Sequence, residues 1–363
     1  MNHLYTNQPD FTFSGNMKNL FLISCTFLLF ACKNTGSAPD VSGSDLQLMV
    51  KRFEKDFFRI DSNNTKDGLA ALQQQYPVFL PLFVNHVLGL GPLSDSNELA
   101  FGGTKRFLHL NEPVYRQSQE LYGNFSAISN QLQTAFRYVQ YYFPNYRVPE
   151  IITTVGPMDA LAPMSNNEPS PNYMGEHFLA IGLQFYLGSD YSIYNDPGFI
   201  MNVVPTYRSR RFSKEFICSD VMKLVIDDLY PDSSSRLPLG EQFVEKGKRL
   251  ELLSLFLPAT NDTLLLGYTA KQLEWCRSNE RRIYNFFAQQ NLLYERDPAL
   301  TQPYLTEGPF TQGMPETSPG NVGAFMGWQM IKAFLKKKKD LTPREWMKLP
   351  AKEIISQSGY KPR

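Results

Sequence analysis

Two glycines four residues apart, inside an apolar helix-forming stretch, constrain this chain more than any other feature. Residues 317–335 read TSPGNVGAFMGWQMIKAFL. Ser318 is a suitable N-cap and Pro319 fits the first helical position, where a missing N–H costs nothing. Gly320 softens that start, which makes Asn321 the alternative cap. Gly323 and Gly327 then fall on one face of the helix. Each interior glycine costs about 1 kcal/mol relative to alanine. Two on one stripe imply that another backbone comes close there. Trp328 and its apolar neighbours predict that most of this helix is buried, either as plain core or as one wall of a site.

The N-terminus carries the next constraint. Residues 20–30 form an apolar run after Lys18, and Ala31–Cys32 ends it. Such a run is too short to span a bilayer and suits a signal-peptide core. Met17 is a second possible start, which makes residues 1–16 an upstream extension and residues 17–31 the leader. Leu29, Ala31 and Cys32 stand at lipoprotein-box spacing. There the Cys32 thiol takes diacylglycerol, the leader is cut, and the freed amino group is acylated. Several acyl chains give stable anchoring where one chain does not. Residues 32–45 are small and polar, a flexible tether.

Residues 46–363 read as a single α-rich α+β domain, without an internal repeat or an interdomain linker. Helical spacing covers 46–60, 115–143 with a break near Gly123, 216–229, 238–257 and 270–293. A buried helix begins near Pro81, residues 101–107 read as loop, and 262–268 as a turn or short strand. β-Branched residues predict a strand at 151–155, and FLAIGLQF predicts a second at 178–185. Residues 297–319 hold five prolines, a long loop of the kind that often carries function. Arg208, Arg210 and Arg211 form a basic knot, for which Asp227 and Asp228 are the expected partners. Lys336–Lys339 end the glycine-striped helix, which suits its dipole.

The chain has 36 basic and 35 acidic residues, so it lacks the basic excess that nucleic-acid binding needs. Past the leader the histidines are His86, His109 and His177, and no HExxH is present. Neither a G-x-S-x-G elbow nor a phosphate loop occurs. Cys218 and Cys276 sit in apolar helical settings, which favours buried thiols over a disulfide. No catalytic residue, metal ligand or cofactor is therefore assigned. Cys32 is the lipid anchor, and Gly323, Gly327 and Trp328 are the structural or interaction residues.

Several stretches together resemble the gliding-motility-associated lipoprotein GldB family of the Bacteroidetes. They are FEKDFFRID from Phe53, YPVFLPLFVNHVLG from Tyr76, IGLQFYLGSDYSIY from Ile181, the long block from Asp262 to Asp297, and SPGNVGAFMGWQMIKAF from Ser318. Gln184 stands where the resemblance leads one to expect Asp. The resemblance implies an envelope lipoprotein of the gliding machinery, which overlaps the type IX secretion apparatus. With no acidic cluster directly after Cys32 and no catalytic set, the expectation is a protein bound to membrane lipid through Cys32, facing the periplasm and acting through other envelope proteins. Such chains are also distantly similar to zincin-like peptidases, whose HExxH helix would correspond to residues 216–229. Here Ser219, Asp220 and Lys223 occupy that helix. Two other readings stay open: a degenerate metallopeptidase using Glu176, His177 and Glu280, and a carrier of a hydrophobic ligand.

Overall fold

Strand periodicity divides the interior in two. The structure, a computed structural model, describes residues 38–94, 96–166 and 168–362. The leader, Cys32 and the first part of the tether lie outside the described residues. Four strands form the main sheet: β1 (Val50–Arg52), β2 (Glu150–Thr154), β5 (Asn172–Met174) and β6 (Phe178–Gly182), in the order β1-β2-β6-β5. β1 and β6 run parallel to β2, and β5 runs antiparallel to β6. β3 (Ala162–Pro163) and β4 (Pro169–Ser170) make a separate small hairpin.

Alternate side chains of a strand point to opposite faces. Ile151, Leu179 and Ile181 therefore enter one core, and Ile152, Phe178 and Ala180 enter the other. The parallel pair β2–β6 is covered on both faces, which its β-branched and apolar sequence anticipates. The second, smaller core is aromatic. It is built by α1 (Phe53–Phe57), α2 (Thr65–Gln75), α3 (Phe79–Leu82), a π-helical turn (Phe83–Val87) and α4 (Glu98–Tyr122). Phe53 meets Tyr76, Phe79 and Phe83 edge-on, with centroids 4.8–5.0 Å apart. Such pairs add about 0.5–1.5 kcal/mol each beyond burial.

The larger core holds α5 (Ser126–Tyr142), α8 (Ile217–Leu229), α9 (Leu239–Phe256) and α14 (Val322–Lys337). Between β6 and α8 run α6 (Pro197–Asn202) and α7 (Thr206–Ser209). After α9 come α10 (Asp262–Leu266), α11 (Ala270–Ser278), α12 (Glu280–Gln289) and α13 (Pro298–Leu305), and α15 (Pro343–Lys348) and α16 (Ala351–Ser358) close the chain. The axis of this half is the α9–α14 pair. A Cβ on Gly327 would overlap the Phe243 carbonyl, and one on Gly247 would overlap the Gly327 backbone. This is the close backbone approach that the glycine stripe predicts.

Several expected boundaries move. Residues 46–60 are not one helix: β1 pairs with β2 before α1 starts, because its backbone completes the sheet edge. Residues 101–107 are helical rather than loop, with Gly102 and Gly103 inside α4; Leu90 packs where a Gly103 side chain would stand. Residues 262–268 form α10 and end on Gly267 at φ 72°. Residues 270–293 divide into α11 and α12 at Asn279. The loop at 297–319 contains α13, which Asp297 caps through the Ala299 N–H.

The glycine-striped helix also starts later than Ser318. Its N-cap is Asn321, at φ 56°. Ser318 Oγ instead accepts the Thr311 N–H at 3.1 Å, and Thr311 Oγ1 donates to the Pro319 carbonyl at 2.6 Å. Those bonds hold the segment against residues 308–311 rather than letting it coil.

Candidate functional site

Between α8 and α9, the β3–β4 hairpin, the α7–α8 connection and the segment after α13 close around a small charged cleft of about 110 Å³. Each wall contributes ions. α8 places Asp220 and Lys223, three apart on one face, with Lys223 Nζ 3.0 Å from Asp220 Oδ1. α9 supplies Lys246, whose Nζ lies 2.9 Å from Glu168 Oε1 on the hairpin. The arginine knot supplies Arg208 and Arg211, which converge on Glu307. Arg249 reaches Asp227 at 3.3 Å and Asp232 at 3.9 Å. Arg211, Lys223, Lys246 and Arg249 thus line the cleft with Glu168, Asp232 and Glu307, and Arg208, Asp220 and Asp227 pair with them from just outside it.

Burial works against ionisation of Glu168, but the Lys246 ammonium, with Arg208 and Lys223 beyond it, outweighs burial and holds the carboxyl down to about 2. Burial likewise disfavours the Arg211 charge, and Glu307, Asp220 and Glu168 more than offset it, so its pKa is raised. Both are therefore ionised at neutral pH. Tyr186, buried between the sheet and α8, has its hydroxyl 3.3 Å from Asp220 Oδ2 and accepts from Asn172 Nδ2 at 2.8 Å. At the rim, Glu307 Oε2 and Asn321 Oδ1 are buried acceptors without a hydrogen-bond partner among the described residues.

The partners expected for the arginine knot are corrected here. Asp227 bonds Arg249 and the backbone N–H of Ser165, and Asp228 lies beside Tyr146. Glu307 takes the arginines instead. Arg208 also donates to the Pro169 carbonyl, and Arg210 to the Gly267 carbonyl at 2.7 Å. Sequence reasoning missed Glu168, Lys246, Arg249 and Glu307. A signal existed for Glu307, the carboxylate just before Gly308 in the proline-rich stretch singled out as functional.

Gly323, Gly327 and Trp328 lie on α14, where α9 covers the glycine stripe. The Gly323 face meets the Phe243 ring. Trp328 is buried, donates from Nε1 to Glu251 Oε2 at 2.7 Å, and has Lys332 Nζ 3.4 Å from its ring centroid. Burial raises the Glu251 pKa, opposed by the Trp328 hydrogen bond and the Lys332 charge. Gln184 is buried and has a clear polar role: it accepts from the Gly156 N–H at 3.1 Å and donates to the Pro157 carbonyl.

The donors for a zincin-type metal do not fit. Ser219 Oγ donates to the Phe216 carbonyl, three residues before it on its own helix. Asp220 is held by Lys223, and an ammonium stands where a second imidazole would be needed. Glu176 and His177 form an exposed pair in the turn before β6, while Glu280 on α12 accepts from the Tyr360 hydroxyl. Among the described residues no three His, Cys, Asp or Glu side chains are grouped to hold a metal ion. Cys218 and Cys276 are both free and buried.

Fold and cleft together define a mainly helical protein with a small mixed sheet, built on a glycine-packed helix pair beside a mutually neutralised ionic cleft. The chain matches the family described as gliding motility protein GldB over residues 34–362. It belongs to that family, one of envelope-associated lipoproteins linked to gliding motility. No curated protein and no solved structure gives a significant match to it.

Proposed function

We propose that this protein is a non-catalytic, lipid-anchored component of the gliding-motility and type IX secretion-associated machinery. Acylated Cys32 holds it to the membrane on the periplasmic side, and the folded body works by contact with other envelope proteins. The observation that carries this reading is the pairing of Lys223 with Asp220 and of Lys246 with Glu168. A general acid–base group works best with a pKa near the operating pH, and Glu168 is instead held down to about 2 by its cations, which supports a non-catalytic cleft.

Mass spectrometry of the processed protein tests the anchor, with an acylated N-terminal cysteine expected at position 32. Affinity capture from detergent-solubilised membranes is expected to retain motility or secretion components. Elemental analysis of protein purified without chelator is expected to find less than about a tenth of a zinc per chain. Stoichiometric zinc, with a peptidase activity that chelators abolish, would overturn the non-catalytic reading.

A further inference from the structure

Charge is unevenly distributed along this nearly neutral chain. Residues 332–362 contain nine basic and three acidic side chains, against totals of 36 and 35. Lys336, Lys338, Lys339, Lys348, Lys352 and Lys361 are all exposed, and among the described residues none of them is in an ion pair. Two of the three acids are engaged locally. Glu345 accepts from Thr342 in a capping box, and Glu353 accepts from Gln357.

The basic residues share one block. Lys337 Nζ donates to the Gln357 carbonyl, which ties the end of α14 to the end of α16. Arg344 on α15 donates to the Tyr142 carbonyl at 3.0 Å, and its guanidinium lies 5.7 Å from the Phe143 ring centroid. The α14 dipole accounts for lysines in its own last turn. It does not account for those beyond the helix or on α15 and α16.

This block borders the flank where the tether joins the fold. The Leu48 N–H donates to Gln133 Oε1 on α5 at 3.0 Å. Gln133 and Tyr142 lie on the same helix, separated along its axis by about 13 Å. The chain from Cys32 to Leu48 spans at most about 55 Å. A membrane that holds Cys32 is therefore within reach of the lysines.

We propose that the basic block formed by the end of α14 with α15 and α16 docks on anionic phospholipid headgroups, a second and electrostatic attachment. It needs the proposed acylation only for its cellular setting. Clustered lysines next to an anionic leaflet each strengthen membrane partition about fivefold. The position of the block beside the tether favours a lipid surface over a soluble polyanion.

The test is co-sedimentation of the mature chain, begun at position 32 and carrying Cys32→Ala, so that neither leader nor acyl chain contributes and the two proposals fail separately. Vesicles are phosphatidylcholine alone or with about a third phosphatidylglycerol. Binding at least about tenfold tighter to the anionic vesicles is expected, weakening as salt shortens the screening length. Replacing Lys336, Lys338, Lys339 and Lys352 together by Gln is expected to abolish that preference. The same four changed to Arg, or Lys105 and Arg106 of α4 changed to Gln, are expected to keep it. Equal binding to both vesicle types, an unchanged preference in the four-Gln variant, or retention on heparin without vesicle binding would each overturn the proposal.

Discussion

The Lys248 ammonium, on an almost fully buried side chain of α9, lies 3.0 Å from the Met347 carbonyl and 3.1 Å from the Leu349 carbonyl. It thereby satisfies two acceptors at the C-terminal end of α15. Glu245 completes the group, its Oε2 lying 2.8 Å from Nζ. One buried lysine thus fastens the C-terminal arm, which carries the basic block, to the central helix pair.

Lys248→Met keeps the apolar stem but leaves two carbonyls and a carboxylate without their donor. Breaking a fully buried pair costs about 3–5 kcal/mol, and the partial exposure of Glu245 reduces that to roughly 2–3 kcal/mol. Urea unfolding of Lys248→Met should show a loss of this size. A loss below about 0.5 kcal/mol would mean that the arm is held by its apolar contacts alone.

Gly327→Ala and Gly102→Ala should move stability in opposite directions. At Gly327 the added methyl meets the Phe243 carbonyl, so α9 and α14 must separate. A loss of about 3 kcal/mol or more is expected, at or beyond the upper end of ordinary overpacking. At Gly102, inside α4, nothing lies within 4 Å of the added methyl. There the gain in helix propensity should add about 0.5–1 kcal/mol. Paired denaturation curves test both, and equal effects would refute the geometry of the α9–α14 contact.

The helix pair was legible in the sequence because glycine spacing reports backbone proximity directly. So were the two central strands, where IITT and FLAIG have no amphipathic helical alternative. β1 was not, because three residues with apolar neighbours fit a helical period as well as a strand. Gly102 and Gly103 read as chain breakers, yet tertiary packing keeps α4 intact through them. The cleft was half legible. The arginine knot demanded carboxylates, but spacing along the chain favoured nearby Asp227 over distant Glu307. Ion pairing between remote segments leaves no periodicity to read.

Cys218 and Cys276 should be inert while the protein is folded. Burial pushes both thiols up to about 12, so neither carries appreciable thiolate at neutral pH. Alkylation by iodoacetamide should be slow in buffer and rapid at both positions in denaturant, as mass spectrometry can follow. Prompt modification of Cys218 in the native protein would show that α8 parts from α5, where Gln131 Oε1 lies 3.5 Å from the thiol.

Acid should destabilise the cleft through Glu168. Its carboxyl is held down to about 2 when folded, against an ordinary value of 4.5. Between those values the unfolded chain binds the proton and the folded one does not, so stability rises with pH across that window. The contribution is complete above 4.5 and disappears as pH falls through about 2. Glu54, Glu245 and Glu251 have raised values, chiefly from burial, so their protonation in acid does not add to this loss. Glu168→Gln should therefore flatten the fall in melting temperature from pH of about 5 to about 2.5. Lys246→Met should act differently: with its main counter-charge gone, burial governs Glu168 and its pKa rises. That variant should lose stability at neutral pH and regain part of it as Glu168 is protonated. If wild type and Glu168→Gln kept parallel acid profiles, the Glu168–Lys246 pair would not be closed in solution, and the neutralised cleft would have to be abandoned.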